Sequence, residues 1–233
     1  MLTKIFMRKA ILMDEYCSME LSEDSNSTKS DEYVYNYSDP LEDASNPLYK
    51  IPTFLSYATP YNSLQQEFLN WVIGEIKNRL LFPRTLGRTD QYTQTPLTGI
   101  RRMMLSSFGF MTIAFRRVFV TEAISRLCTP QQQTFENFWL SSPYIQIETA
   151  MAYQRGLPIM MLVEEGVSMN SVFGGVLELG AGPFTIIRFN PQDEQSISDF
   201  FNSVFWKETF EDWASEVRCY YDRLTSPTCC NNF

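Results

Sequence analysis

The chain has 233 residues, 44% of them apolar and 15% aromatic, which sustains one sizeable core with extensions rather than two full domains. A net charge of −8 opposes phosphate backbones and anionic lipid, so neither direct nucleic-acid binding nor a membrane partner is expected. With no histidine in the chain, an imidazole base, the usual serine or cysteine triad and a His-ligated metal are all excluded.

The start, "MLTKIFMRKAILMDEY", has basic residues followed by an apolar run too short for a signal-peptide core. No run of 18 apolar residues offers a membrane-spanning helix. Cys17, Cys128, Cys219, Cys229 and Cys230 are odd in number and lack C-x-x-C spacing, so they read as reduced thiols of a cytoplasmic protein. Between Met13 and Tyr49 there are ten acidic residues against Lys29 alone, in a stretch rich in Ser and Asn with no apolar period. Such a composition cannot bury enough surface to offset the entropy of ordering. Residues 1–50 are therefore expected to form an acidic, largely disordered arm, with "YVYNY" as its one docking feature, and residues 51–233 the folded domain.

From Ile51 the pattern becomes that of a packed protein. "IPTFLSYATPY" reads as a buried strand running into a loop, and the next segment places Leu64, Phe68, Trp71, Val72, Ile76 and Leu80 at helical spacing. "LLFPRTLGRTD" supplies a short strand and a polar loop. "TPLTGIRRMMLSSFG" reads as a second helix, with Thr95 as N-cap and Pro96 at its first position. "FMTIAF" is an apolar strand interrupted by Arg116 and Arg117. The stretch from Thr121 to Ser142 is harder to place, with "TPQQQTFENFW" reading as a loop-rich insertion or a short helix. "SPYIQIETAMAYQRG" is a helix capped by Ser142, entered through Pro143 and stopped by Gly156. "LPIMMLVEE" and "GPFTIIRFN" are strands, and the segment from Asp193 onward forms one or two amphipathic helices. This alternation predicts an α/β fold: a doubly wound, mostly parallel five-stranded sheet with flanking helices.

In such a sheet the ligand crevice lies beyond the carboxyl ends of the strands. Three stretches converge there: the "SYATPY" loop with Ser56, Tyr57 and Tyr61; the Arg116–Arg117 pair; and the turn with Ser142 and Tyr144 that leads to Glu148. Glu148 lies about a turn and a half into its helix, where the dipole is expected to favour the ionised form. An ionised carboxylate there could attack, or stabilise positive charge on, a sugar carbon as a glycosidic bond breaks. The bland reading is a favourable acid in a helix's early turns, with no chemistry. One of Arg116 and Arg117 is expected to face the crevice, since side chains alternate along a strand, and a guanidinium there could hold a phosphate or carboxylate. Arg84 and Arg88 are comparable candidates on a neighbouring loop. No glycine cluster follows a strand and opens a helix, so a dinucleotide fingerprint is not supported.

Ile51 to about Asn190 resembles the nucleoside 2-deoxyribosyltransferase-like group, fold relatives of TIR domains. The likeness rests on "FLSYATPY" before a long helix, on "GIRRMMLSSFGFMTIAFRR", and above all on "SPYIQIETAMAYQRGLPIMML". Glu148, Ala152, Gly156 and Pro158 match the group's E-x-x-x-A helix and G-x-P turn, so the resemblance implies that Glu148 is the catalytic glutamate. It further implies cleavage of the N-glycosidic bond of a nucleoside, a nucleotide or NAD, without metal or cofactor. The aromatic hydroxyl expected after the first strand would be Tyr57 or Tyr61. Where members of the group commonly place a base-reading aspartate, this chain has "FRR", which favours an anionic, nucleotide-type substrate. Similar domains act as effectors in bacterial antiphage defence, which implies a homo-oligomer or a regulatory protein partner. Two other readings stay open: a sensor that binds a nucleotide signal without turnover, and a TIR-like assembly module.

Overall fold

Polar caps mark where the chain turns from strand to helix in the computed structural model, which describes residues 51–178 and 182–225. The expected acidic arm at residues 1–50 and Cys17, Cys229 and Cys230 lie outside the described residues. Strand β1 (Ile51–Tyr57) leads to helix α1 (Ser63–Asn78), whose N-terminus is closed by Asn62 accepting from the Gln65 N–H. Strand β2 (Leu81–Arg84) precedes helix α2 (Pro96–Leu105) and strand β3 (Gly109–Ala114). Strands β4 (Val118–Ser125) and β5 (Gln133–Leu140) come next, then helix α3 (Pro143–Arg155) and strand β6 (Ile159–Glu164). A 3-10 turn at Gly175–Leu177, strand β7 (Thr185–Phe189) and helices α4 (Glu194–Asn202) and α5 (Val204–Thr225) complete the described chain.

The five strands β2-β1-β3-β6-β7 form one sheet in which every pairing is parallel. This is the flavodoxin-like strand order, and its direction of winding reverses between β1 and β3. Strands β3 and β6 are buried at all six positions, as expected of central strands covered on both faces. Alternation sends Leu55, Tyr57, Phe115 and Glu164 toward α1, and Phe54, Ser56 and Thr112 toward α2 and α3.

The α1 side is an aromatic layer. Phe68 stacks on Phe189 at 3.8 Å and touches Phe115, Phe200 and Phe201, while Trp206 packs on Phe210. Each such ring contributes roughly 1.5–3 kcal/mol by burial. Gly109, at the start of β3, sits directly beneath α5: a Cβ there would stand 2.5 Å from Val217 Cγ2 and 3.2 Å from Thr53 Cγ2. Gly109→Ala is expected to destabilise the fold by about 1–3 kcal/mol, read as a lower urea midpoint at unchanged slope.

Between Thr121 and Ser142 the chain is mainly strand rather than a loop-rich insertion or a short helix, with a connecting turn at 126–132. Most of this stretch belongs to β4 and β5, an antiparallel hairpin with register from Val118↔Leu140 to Ser125↔Gln133, forming a second, two-stranded sheet. The alternating apolar residues of "VFVTEAIS" and "QTFENFWL" pair across it, with Phe119 against Trp139 at 5.0 Å. Phe135 and Phe138 both pack on Phe173.

Candidate active site

Helix α3 starts as its sequence dictates. Ser142 accepts from the Tyr144 N–H at 3.3 Å, Pro143 occupies the first position, and Gly156 closes the other end with φ 73°. That last conformation suits glycine because it has no Cβ. The framing places Glu148 over the carboxyl end of β1, beside the point where the strand order reverses. Its side chain is buried with only 8% exposure. The Ser56 hydroxyl, itself 3% exposed, donates to Glu148 Oε2, and the Thr112 hydroxyl donates to Ser56 Oγ at 3.5 Å. A line of two neutral hydroxyls from adjacent strands thus ends on one carboxyl.

Burial pushes the Glu148 carboxyl up to about 7 from its usual 4.5, against the Ser56 hydrogen bond, which lowers it. The expectation that the helix dipole favours the ionised form is corrected here. Glu148 is the sixth residue of α3, and the dipole's influence fades beyond the first turn, so desolvation wins. A carboxyl poised near neutrality can change charge within a reaction cycle.

The other expected site residues fall into separate groups. Tyr57, adjacent to Ser56, points to the opposite face. Burial raises its hydroxyl pKa, while the charge of Arg88 and the Thr85 hydroxyl act in the other direction. Tyr61 is 56% exposed, and its backbone N–H donates to Gln65 Oε1. Arg84 grips Asp90 through Nε at 3.0 Å and Nη2 at 2.5 Å, and gives Nη1 to the Ser106 hydroxyl and carbonyl, tying the β2–α2 loop to the end of α2. Arg116 donates its Nε to Glu164 Oε1 at 2.6 Å and its backbone N–H to Oε2 at 2.8 Å, and its guanidinium lies 5.7 Å from the centre of the Trp139 ring. Arg117 is exposed, with its N–H bonded to Leu140 O at the hairpin base. Tyr144 is 45% exposed.

Thr112, Glu164, Gln65 and Trp139 escape the sequence reading. Glu164 is fully buried at the end of β6, where Gln65 Nε2 also donates to Oε2 at 2.8 Å. The signal available was an acid closing the apolar run "LPIMMLVE". Trp139 exchanges backbone hydrogen bonds with Gly166 and Ser168, which fastens the hairpin to the loop after β6. Among the described residues no cluster of three His, Cys, Asp or Glu side chains could hold a metal ion. Among the same residues, no helix is long and apolar enough to cross a membrane.

The architecture is α/β with a parallel, doubly wound sheet. No protein-family model matches the chain, and no curated protein is significantly similar to it. Several solved structures are similar. The Flv1 flavodiiron core from Synechocystis sp. PCC6803 has 9% identity and a TM-score of 0.41, over 73% of this chain and 37% of that one. The CMP N-glycosidase BcmB from Clostridium botulinum has 12% identity and a TM-score of 0.38, over 64% and 97%. The NAD(P)H:acceptor flavoenzyme FerB from Paracoccus denitrificans has 10% identity and a TM-score of 0.39, over 73% and 99%. The chain therefore spans little more than a third of the Flv1 core.

Proposed function

We propose that the protein is an N-glycosidase acting on a nucleotide-type substrate, with Glu148 as its catalytic carboxylate. The observation that carries this reading is the buried line Thr112–Ser56–Glu148 at the strand-order reversal, where α/β sheets bind ligands. The ionised Glu148 attacks the anomeric carbon, the base leaves with the electron pair of the glycosidic bond and takes a proton from water, and a second water then cleaves the glycosyl ester. Ser56 holds the attacking oxygen in register. Arg84 and Arg116 are engaged with carboxylate partners, which leaves exposed Arg88, beside Tyr57, and exposed Arg117 as the arginines suited to an anionic group.

The test is to incubate the purified protein with nucleoside monophosphates, deoxynucleosides and NAD, and to follow base release by mass spectrometry. Release by the wild type and its loss in Glu148→Gln is the expected result. Release that persists in the variant would sink the assignment. Ligand-induced thermal stabilisation with no product formed would select the sensor instead.

A further inference from the structure

A cavity beside the β2–α2 loop bears on what the site recognises, and its interpretation rests on the N-glycosidase reading above. It measures about 330 Å³ and is walled by the β2–α2 loop and the start of α2, with Leu86, Gln91, Tyr92, Gln94 and Gly99 among its lining. Leu86 lies just beyond the carboxyl end of β2, so the cavity opens at the same rim of the sheet as Glu148. Neighbouring strands are about 4.8 Å apart, which puts the end of β2 roughly 10 Å across the rim from that of β3. Helix α2 packs against α3, which carries Glu148.

Three features of the lining point to one ligand chemistry. The lining contains no Asp, Glu, Lys or Arg, so the cavity suits a neutral group rather than a phosphate. The Tyr92 ring is held as a platform, its hydroxyl bonded to Met103 Sδ and Arg84 and the Arg102 guanidinium 5.5 Å from its centre. Gln91 and Gln94 bring two exposed carboxamides, each with donors and an acceptor. The space also depends on a glycine inside a helix, a residue that weakens helices: a Cβ at Gly99 would meet Leu86 Cδ1 and Tyr92 Cδ2 at 3.2 Å.

We infer that this cavity is the subsite for the leaving base, a planar heteroaromatic ring that lies against Tyr92 and is read along its donor–acceptor edge by Gln91 and Gln94. Carboxamides serve this purpose elsewhere because one amide can donate to and accept from a base edge at once. The assignment gives the chain a base reader in the β2–α2 loop.

The experiment measures equilibrium binding to the full-length Glu148→Gln protein, so that turnover does not interfere. The probes are adenosine, guanosine, cytidine and uridine, with ribose 5-phosphate as a base-free control. One or more nucleosides should bind saturably. Adding Gly99→Val should weaken that binding at least tenfold, and adding Gln91→Ala with Gln94→Ala should level the preference among bases, with ribose 5-phosphate unaffected by either change. Circular dichroism checks the fold, and the double glutamine variant carries the test if Gly99→Val does not fold. Absence of nucleoside binding, or binding indifferent to both sets of changes, overturns the subsite. Base release by the otherwise wild-type enzyme that is unchanged by these substitutions overturns the subsite and leaves the glycosidase reading standing. Base-selective binding without turnover by the wild type does the reverse.

Discussion

Glu148→Gln is expected to abolish base release, by roughly 10³-fold or more, while making the folded protein harder to melt above pH 7. On the proposed mechanism the loss follows from removing the attacking carboxylate, and a 10³-fold loss corresponds to about 4 kcal/mol of transition-state stabilisation. The gain in stability follows from the raised pKa. Below pH 4.5 the carboxyl is protonated in both folded and unfolded chains and contributes no penalty. Between 4.5 and about 7 the unfolded chain releases a proton that the folded one retains, so the fold loses stability as pH rises. Above about 7 the penalty is constant, with an upper bound of about 3 kcal/mol. Glutamine keeps an acceptor for Ser56 and carries no charge to desolvate. The difference in melting temperature between variant and wild type should therefore open between pH 4.5 and 7 and stay level beyond. A difference independent of pH would show that Glu148 titrates as an ordinary surface acid.

The same property fixes the pH profile. A carboxylate nucleophile must be ionised, so kcat/KM should rise to a plateau above about pH 7. Ser56→Ala removes the hydrogen bond that lowers the Glu148 pKa, and should move that midpoint upward. A profile that falls through the same region would assign Glu148 as an acid donating to the leaving base.

Arg116→Ala carries the largest expected cost in stability. Glu164 is fully buried, and its acceptor oxygens are met by Gln65 Nε2, the Arg116 backbone N–H and the Arg116 guanidinium. Truncation leaves two neutral donors around an uncompensated buried charge, at a cost of about 3–5 kcal/mol. In a domain of this size that corresponds to a melting temperature lower by roughly 10 °C. Combining Arg116→Ala with Glu164→Gln should recover much of the loss, because the residual charge is then gone. A single variant that melts like the wild type would mean that water reaches Glu164.

Features encoded locally are legible in the sequence. Ser142, Pro143 and Gly156 frame α3 within fifteen residues, and the apolar runs of β3 and β6 announce buried parallel strands. The partners of the charged residues are not, because they depend on contacts remote in sequence. Ser56 meets Glu148 across 92 positions, and Gln65 meets Glu164 across 99. Alternation along β1 decides that Ser56 rather than Tyr57 reaches α3, and the sequence does not say which phase the strand adopts. The β4–β5 hairpin is hidden for a different reason. Its two strands lie apart from the main sheet and are mostly exposed, so their apolar alternation is diluted by polar residues, and "TPQQQ" at the tip resembles an open loop.

The position of Trp139 makes the protein its own optical probe. The chain has four tryptophans, and Trp71, Trp206 and Trp213 lie in the aromatic packing of α1 and α5 against Phe201 and Phe210. Trp139 alone stands at the rim, against Arg116 and fastened to the loop after β6. With the other three replaced by phenylalanine, its emission would follow events at the mouth of the crevice in real time, with no attached dye.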